Sequence, residues 1–406
     1  MTVRILAVAD SESFLKWAAT TLDQVAADGT DVDSRVVVIQ GPLEPSPEQH
    51  RAALAGTGVT EAPVASRRTL ARLVRDHQPD VVLVAATGPV AEMIALTVLK
   101  ASGDRRPALL SGPPGMALSA GSTVGVKWRF GWCDAFIVHS PREVDLFAEA
   151  FKRHGAHPRM VLTRLPFLAR LGEIEPVTTP VRRIVFAPQP IVPHRRSDRL
   201  ALLRGLARLH EQGFEVVVKV RTRAGERQTH YEALPFESLW RREHARMGLP
   251  ADGLEFAAGP MSDWLTPGTA LVTVSSTAAL ESLALGLPTA LVADLGVSED
   301  LANEVYVESG CMVRLDELGS TLARGGPVPN GRWLGENYLH ETPSELGTAV
   351  SQLAAARRAG MLPPVASAQP LSRAISLYSQ LKSDVPLLWY PAVWVRALLG
   401  RHRPLA

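Results

Sequence analysis

The sequence predicts an α/β protein of two tandem Rossmann-like domains with a cleft between them. Short apolar runs rich in β-branched residues alternate with amphipathic segments, the pattern of buried parallel strands covered by helices on both faces. The alternation stops near residue 171 and starts again near residue 184. At 406 residues the chain is long enough for two separate cores.

In the first third, VRILAVAD (Val3 to Asp10), SRVVVIQG (Ser34 to Gly41), DVVLVAATG (Asp80 to Gly88), RPALLSG (Arg106 to Gly112) and DAFIVHS (Asp134 to Ser140) read as strands. FLKWAATTLDQVA and TLARLVRDH read as helices between them. LGEIEPVTTPVRR (Leu171 to Arg183) has two prolines, adjacent threonines and no periodicity, so it reads as a linker. RRIVFAPQP, FEVVVKVR, GLEFAAGP, ALVTVSS and PTALVAD then read as strands of a second α/β unit. Its helices are RLALLRGLARLHEQG, SLWRREHARMG and AALESLALG, and RGGPVPN (Arg324 to Asn330) is loop. The expected division is residues 1–170 as a first, acceptor domain, 171–183 as linker, 184–362 as a second, donor domain, and 363–406 as a helical tail.

Lys and Arg number 43 against 41 Asp and Glu, a net charge of +2, so the molecule as a whole is not built to bind nucleic acid. Cys133 and Cys311 form neither a disulfide framework nor a metal cluster and fit a reducing, cytoplasmic compartment. MTVRILAVAD lacks the apolar core and cleavage site of a signal peptide. The longest apolar stretch, Val385 to Gly400, is broken by Pro391 and Arg396 and falls short of the roughly 20 residues that span a bilayer. With Trp389, Tyr390, Trp394, Arg396, Arg401 and Arg403, the tail fits two readings. It is either a helix that braces the first domain or a peripheral contact with the anionic inner face of a membrane.

Ligands of open α/β sheets bind at the carboxyl ends of the strands. In the second domain those ends carry Gln189, then Lys219, Arg221 and Arg223, then Ser275, Ser276 and Thr277, with Glu281 one turn into the next helix. Small hydroxyls at a strand-to-helix turn let an anion approach closely, and arginine adds forked donors to phosphate oxygens. Glu281 is placed to accept from ribose hydroxyls. The plain alternative makes Ser276 or Thr277 an N-cap, KVRTR an exposed strand end, and His194 and His230 surface residues.

In the first domain Asp10 ends the first strand and Glu12 follows it. Either could deprotonate an acceptor hydroxyl, and Asp10 could equally cap the next helix. The glycine-rich loop Ser111 to Ser122, with Gly115, suits close approach by a sugar but lacks the Lys-Ser/Thr of a P-loop. His139 and Ser140 either line the cleft or form a structural pair. Asp31-Val32-Asp33 precedes a strand and so lies at the wrong sheet edge for a metal site, and neither metal nor cofactor is expected.

Strand–QP, strand–KxR, strand–SST and a helix with Glu before GLP resembles the donor half of GT-B glycosyltransferases. The likeness is closest to bacterial capsule-type enzymes: polysialyltransferases, Kdo transferases and CDP-glycerol polymerases. The sequence also resembles an actinobacterial family of glycosyltransferases. In the capsule-type enzymes a Lys-x-His-Pro and a Ser-Ser motif grip the phosphate and ribose of a CMP- or CDP-linked donor. Ser275 and Ser276 match the second motif. Lys219-Val220-Arg221-Thr222 keeps the lysine of the first but has Arg for His and Thr for Pro. Arginine holds phosphate without giving up a proton near neutral pH, which leaves His230 to substitute as acid.

The resemblance implies a GT-B fold and metal-independent transfer of a sugar from a nucleotide donor, CMP-linked by preference, to a cell-envelope or lipid-linked glycan. Two rivals stand beside it. A non-hydrolysing nucleotide-sugar 2-epimerase shares the architecture but needs several cleft carboxylates and histidines. A non-catalytic scaffold would explain the missing histidine.

Overall fold

The computed structural model describes residues 1–117, 120–165, 168, 179–220 and 232–365. The first unit contains β1 (Val3–Ala9), α1 (Glu12–Ala27), β2 (Val32–Ile39), α2 (Pro47–Leu54), β3 (Val64–Ala65) and α3 (Arg67–His77). It continues with β4 (Val81–Ala85), α4 (Gly88–Ser102), β5 (Ala108–Ser111), β6 (Ala135–Val138), α5 (Pro141–Lys152) and β7 (Arg159–Leu162). The second unit contains β8 (Arg183–Phe186), α6 (Arg196–Glu211), β9 (Glu215–Lys219), α7 (Phe236–Glu243), β10 (Glu255–Ala257), β11 (Thr269–Thr273) and α8 (Ala278–Ala284). After these come β12 (Thr289–Val292), β13 (Met312–Val313), α9 (Leu315–Ala323), α10 (Gly331–Glu336) and α11 (Leu346–Arg358).

Both sheets are parallel. The first runs β3-β2-β1-β4-β5-β6-β7 and the second β10-β9-β8-β11-β12-β13. Counted from its own first strand, the second has the Rossmann order 3-2-1-4-5-6. Central strands are apolar because both faces are covered: β4 and β11 are buried at every residue. The amphipathic stripe of α1, including Phe14, Leu15, Trp17, Leu22 and Val25, lies on one face of the first sheet. Leu70 and Val74 of α3 cover the other face together with Ile94 and Val98 of α4. In the second unit Leu203 and Leu206 of α6 and Leu318 of α9 pack on one face, and Ala279 and Leu280 of α8 with Trp333 of α10 on the other.

The five strands expected in each unit are present. The short edge strands β3, β7 and β13 and a 3₁₀ helix over Ala120–Trp128 are additional. One boundary is corrected. Leu346, Ala349, Val350 and Ala354 of α11 share a core with Val3, Ile5 and Ala7 of β1, so the chain returns to the first unit before residue 346 and not after 362. Arg358 donates to Asp80, completely buried at the start of β4, at 2.5 Å, and Arg357 lies 3.4 Å from the same carboxylate. Val365 rests on the opposite face of the first sheet. The tail beyond residue 365 lies outside the described residues, as do residues 171–178 of the expected linker.

Candidate active site

In the second sheet the chain winds from β8 out to β10 and then crosses back to β11, which opens a crevice between the carboxyl ends of β8 and β11. The hydroxyl of Thr273 donates to the Ala187 carbonyl at 2.7 Å and accepts from the Ser276 amide at 3.1 Å. The amide of Gln189 donates to the Ser275 carbonyl at 3.3 Å, and the Ser275 hydroxyl donates back to Gln189 Oε1. Ser275 is fully buried. The two residues clasp the base of the crevice, and Ser276 and Thr277, both half-buried, are left at its surface.

The capping alternative holds in part. Ser276 Oγ accepts from the Ala278 amide at 3.3 Å, which serves the first turn of α8, whereas Thr277 makes no side-chain cap. Lys219 ends β9 at the neighbouring position. Glu281 is half-buried one turn into α8. Burial pushes its carboxyl above the usual range, against the charges of Lys16 and Lys219. Lys16 belongs to α1 of the first unit, so positive charge reaches Glu281 from both walls. Arg221, Arg223 and His230 lie outside the described residues.

The facing wall is the loop after β5. A Cβ placed on Gly115 would stand 3.7 Å from Thr277 Cγ2, so the two domains touch at the hydroxyl step. At Gly112 a side chain is excluded outright: its Cβ would come within 2.9 Å of the Trp17 ring and 3.0 Å of Ile137. The loop leaves the sheet by that close approach and delivers Met116 into the core of the second unit, beside Val185, Leu271 and Ala278. On the rim, the Glu299 carboxylate accepts from the Gly121 amide at 3.1 Å.

His139 does not line the cleft; it is completely buried beneath this loop. Its Nε2 lies 3.1 Å from both Trp17 Nε1 and the Pro113 carbonyl, and its Nδ1 lies 3.3 Å from the Thr163 carbonyl. Its partners are structural but do not include Ser140, whose side chain instead caps α5 by accepting from the Glu143 amide. Asp10 lies at the switch point between β1 and β4, but it is buried and occupied. It accepts from the Thr87 amide at 2.8 Å, the Thr87 hydroxyl at 2.5 Å and the Ser11 hydroxyl at 3.0 Å. Burial pushes the Asp10 carboxyl up, against the pull of these bonds and of Arg129. Glu12 is half-buried in the first turn of α1, four residues before Lys16 on the same helix face.

Over residues 5–353 the sequence matches a family described as "Putative glycosyltransferase (DUF6716)". The chain belongs to this family. Membership makes this DUF6716 protein an enzyme of glycosyl transfer. Among curated proteins, none matches it. Similar folds occur in solved structures. A "putative UDP-N-acetylglucosamine 2-epimerase" of Listeria monocytogenes is 12% identical with a TM-score of 0.55, over 88% of this chain and 96% of its own. The UDP-GlcNAc 2-epimerase of Methanocaldococcus jannaschii is 10% identical with a TM-score of 0.53, over 87% and 100%. That of Neisseria meningitidis, solved with UDP-GlcNAc, is 10% identical with a TM-score of 0.51, over 89% and 100%. At such identity the likeness is one of fold, and it fixes the two-domain GT-B architecture for the DUF6716 chain. Among its described residues no helix is long and apolar enough to cross a membrane.

Lys16 and, buried behind the hydroxyl step, Met116 and Tyr306 were not singled out by the sequence. Lys16 sits in an amphipathic helix as an ordinary exposed lysine, and the other two read as core.

The buried histidines make stability in this DUF6716 protein pH-dependent. Burial depresses His139, against the pull of Glu143, and depresses His340, where the Arg164 charge adds to it. Below the ordinary histidine value of about 6.5 the unfolded chain takes up protons that the folded chain refuses. Stability is therefore expected to fall from pH 7 towards pH 5, by at most about 1.4 kcal/mol per pH unit for each ring. Urea melts across that range test it, with His340→Leu expected to flatten the slope. An equal slope in wild type and variant removes His340 from the account.

Proposed function

We propose that the protein transfers a sugar from a nucleotide-linked donor to a glycan or lipid-linked acceptor of the cell envelope, without a metal ion. The observation that carries this reading is the meeting of Lys219, Ser276, Thr277 and Glu281 at one switch-point crevice, opposite Gly115 and Lys16. The hydroxyls and Lys219 hold the donor phosphate, with Arg221 and Arg223 adding forked donors. Glu281 accepts from the ribose. Lys16 lends charge from the acceptor wall, and Glu12 takes the acceptor proton as the sugar's bond to phosphate breaks. His230 would assist departure of the phosphate. Gln189 and Ser275 serve by shaping the crevice. Two proteins of similar fold are known with UDP and with UDP-GlcNAc bound, which supports a nucleotide-sugar as the donor class. The Ser-Ser likeness favours a cytidine donor, and a lipid-linked acceptor would bring the enzyme to the inner membrane face.

Calorimetric titration with CMP, CDP, UDP, GDP and ADP tests the reading. A cytidine nucleotide is expected to bind best, and Lys219→Ala with Ser276→Ala to weaken it at least about tenfold, the equivalent of one charge-assisted hydrogen bond. Binding that survives the double substitution moves the donor site elsewhere. The epimerase reading gains if UDP-GlcNAc is converted to its epimer without any acceptor.

A further inference from the structure

Tyr306 is completely buried, and its ring lies 5.8 Å from that of Trp333. Its phenol stands 3.2 Å from the Ser276 carbonyl and 3.6 Å from Met116 Sδ. A phenol has one proton, and the carbonyl is the stronger acceptor, so the hydroxyl donates to Ser276 and packs against the sulfur. The same carbonyl accepts from the Ala279 amide at 3.1 Å. A peptide unit is planar and trans, so two donors on the Ser276 carbonyl fix the orientation of the whole Ser276–Thr277 link and the positions of the two Cα atoms that carry the hydroxyls.

Met116 comes from the other domain. It enters the core of the second unit from the loop after β5, one residue after Gly115 and one before Ala117. The Ala117 amide is held at 2.8 Å by both Glu143 Oε1 and Tyr338 Oη. The loop is thus held at Ala117 by Glu143 of its own domain and by Tyr338, which shares the core of the second unit, and it is plugged into that core at Met116, where it meets the phenol that holds the hydroxyl step.

We infer that Tyr306 is a positioning residue for the donor phosphate and that Met116 ties the acceptor-side loop to it, so that the hydroxyl step takes its binding shape only with that loop seated. The inference rests on the donor site proposed above. It gives the two domains a shared part at the reaction centre, and it makes nucleotide binding and loop seating one event.

Nucleotide affinity is measured with the tightest of CMP, CDP, UDP, GDP and ADP, and its parent nucleoside is measured by competition. Tyr306→Phe removes one oxygen and keeps the ring; it is expected to weaken the nucleotide about three- to tenfold, the value of one hydrogen bond. A fold-wide defect would weaken nucleoside and nucleotide alike, whereas this variant leaves the nucleoside unchanged. Met116→Ala is expected to do the same, Met116→Leu to stay within twofold of wild type, and the double variant to be no worse than either single one. Nucleotide affinity unchanged in Tyr306→Phe overturns the positioning role, and loss in Tyr306→Phe with none in Met116→Ala overturns the coupling. Hydrogen exchange on the wild type decides the matter if a variant fails to fold. Nucleotide should protect residues 112–117 along with 273–281, and protection confined to 273–281 overturns the inference. If the wild type binds none of the five nucleotides, the donor reading itself fails, and that failure is read before any variant is made.

Discussion

Replacing Glu12 by Gln slows acceptor-dependent release of nucleotide by about two to four orders of magnitude, the share a positioned general base contributes, and leaves nucleotide affinity unchanged. Two carboxylates follow β1, and the structure separates them. Asp10 is buried, and its two oxygens receive three hydrogen bonds, from Thr87 and Ser11. It holds the entrance of α4 to the end of β1. Three of the roughly four lone-pair sites of that buried carboxylate are thus taken up by the fold. Glu12 lies two residues further on, partly exposed, on the helix face that also carries Lys16. Lys16 in turn acts on Glu281 across the cleft. Asp10→Asn is expected to cost stability together with activity, because the amide nitrogen would face a donor of Thr87 or Ser11. Steady-state rates and urea melts on both variants separate the roles. Full activity in Glu12→Gln with collapse in a folded Asp10→Asn would reverse them.

Glu143→Ala is expected to destabilise the protein by about 3–5 kcal/mol, as removal of one member of a buried charged network does. Glu143 is completely buried. Its Oε1 accepts from Ala117 at 2.8 Å and from the Tyr338 phenol at 2.5 Å, and its Oε2 from the His139 amide at 2.7 Å. Ala117 belongs to the cleft loop and His139 to the end of β6, while Tyr338 lies on the segment that carries the chain back between domains. Burial and the neighbouring carboxylate push the Tyr338 phenol well above its usual value, so it remains a donor at every working pH. Tyr338→Phe leaves the other two donors satisfied and should cost about 1 kcal/mol. Denaturation midpoints for the pair and the double variant give the coupling. A Glu143→Ala loss below about 1 kcal/mol would mean that water replaces the carboxylate, and the domain junction would then be wetter than its burial implies.

The long buried strands were legible because burial on both faces forces continuous apolar runs, as in Val81–Ala85 and Thr269–Thr273. β3 and β13, two residues each, leave too short a trace to have a period. The face of α11 was readable, but periodicity does not say which of two sheets a helix covers, and its small-residue stripe fits either. At the site, the position of the hydroxyl step followed from strand order alone. Its division of labour did not. Ser275 and Ser276 are adjacent and identical, yet the alternation of a strand end buries the first against Gln189 and leaves the second at the surface. His139 looked like a cleft residue for the reverse reason: its strand ends at the cleft, but Trp17 and the loop of Pro113 cover it.

The return of α11 to the first sheet also sets an order for synthesis. The ribosome releases β1 to β7 first, but the apolar face of that sheet that α11 covers stays open until residues 346–358 have emerged. The early half of the chain must wait, partly uncovered, through the whole translation of the later half, at about 5–20 residues per second. A message cut after the first domain would yield a sheet with one face unfinished, and the same polypeptide supplied in two pieces would have to reassemble around that helix.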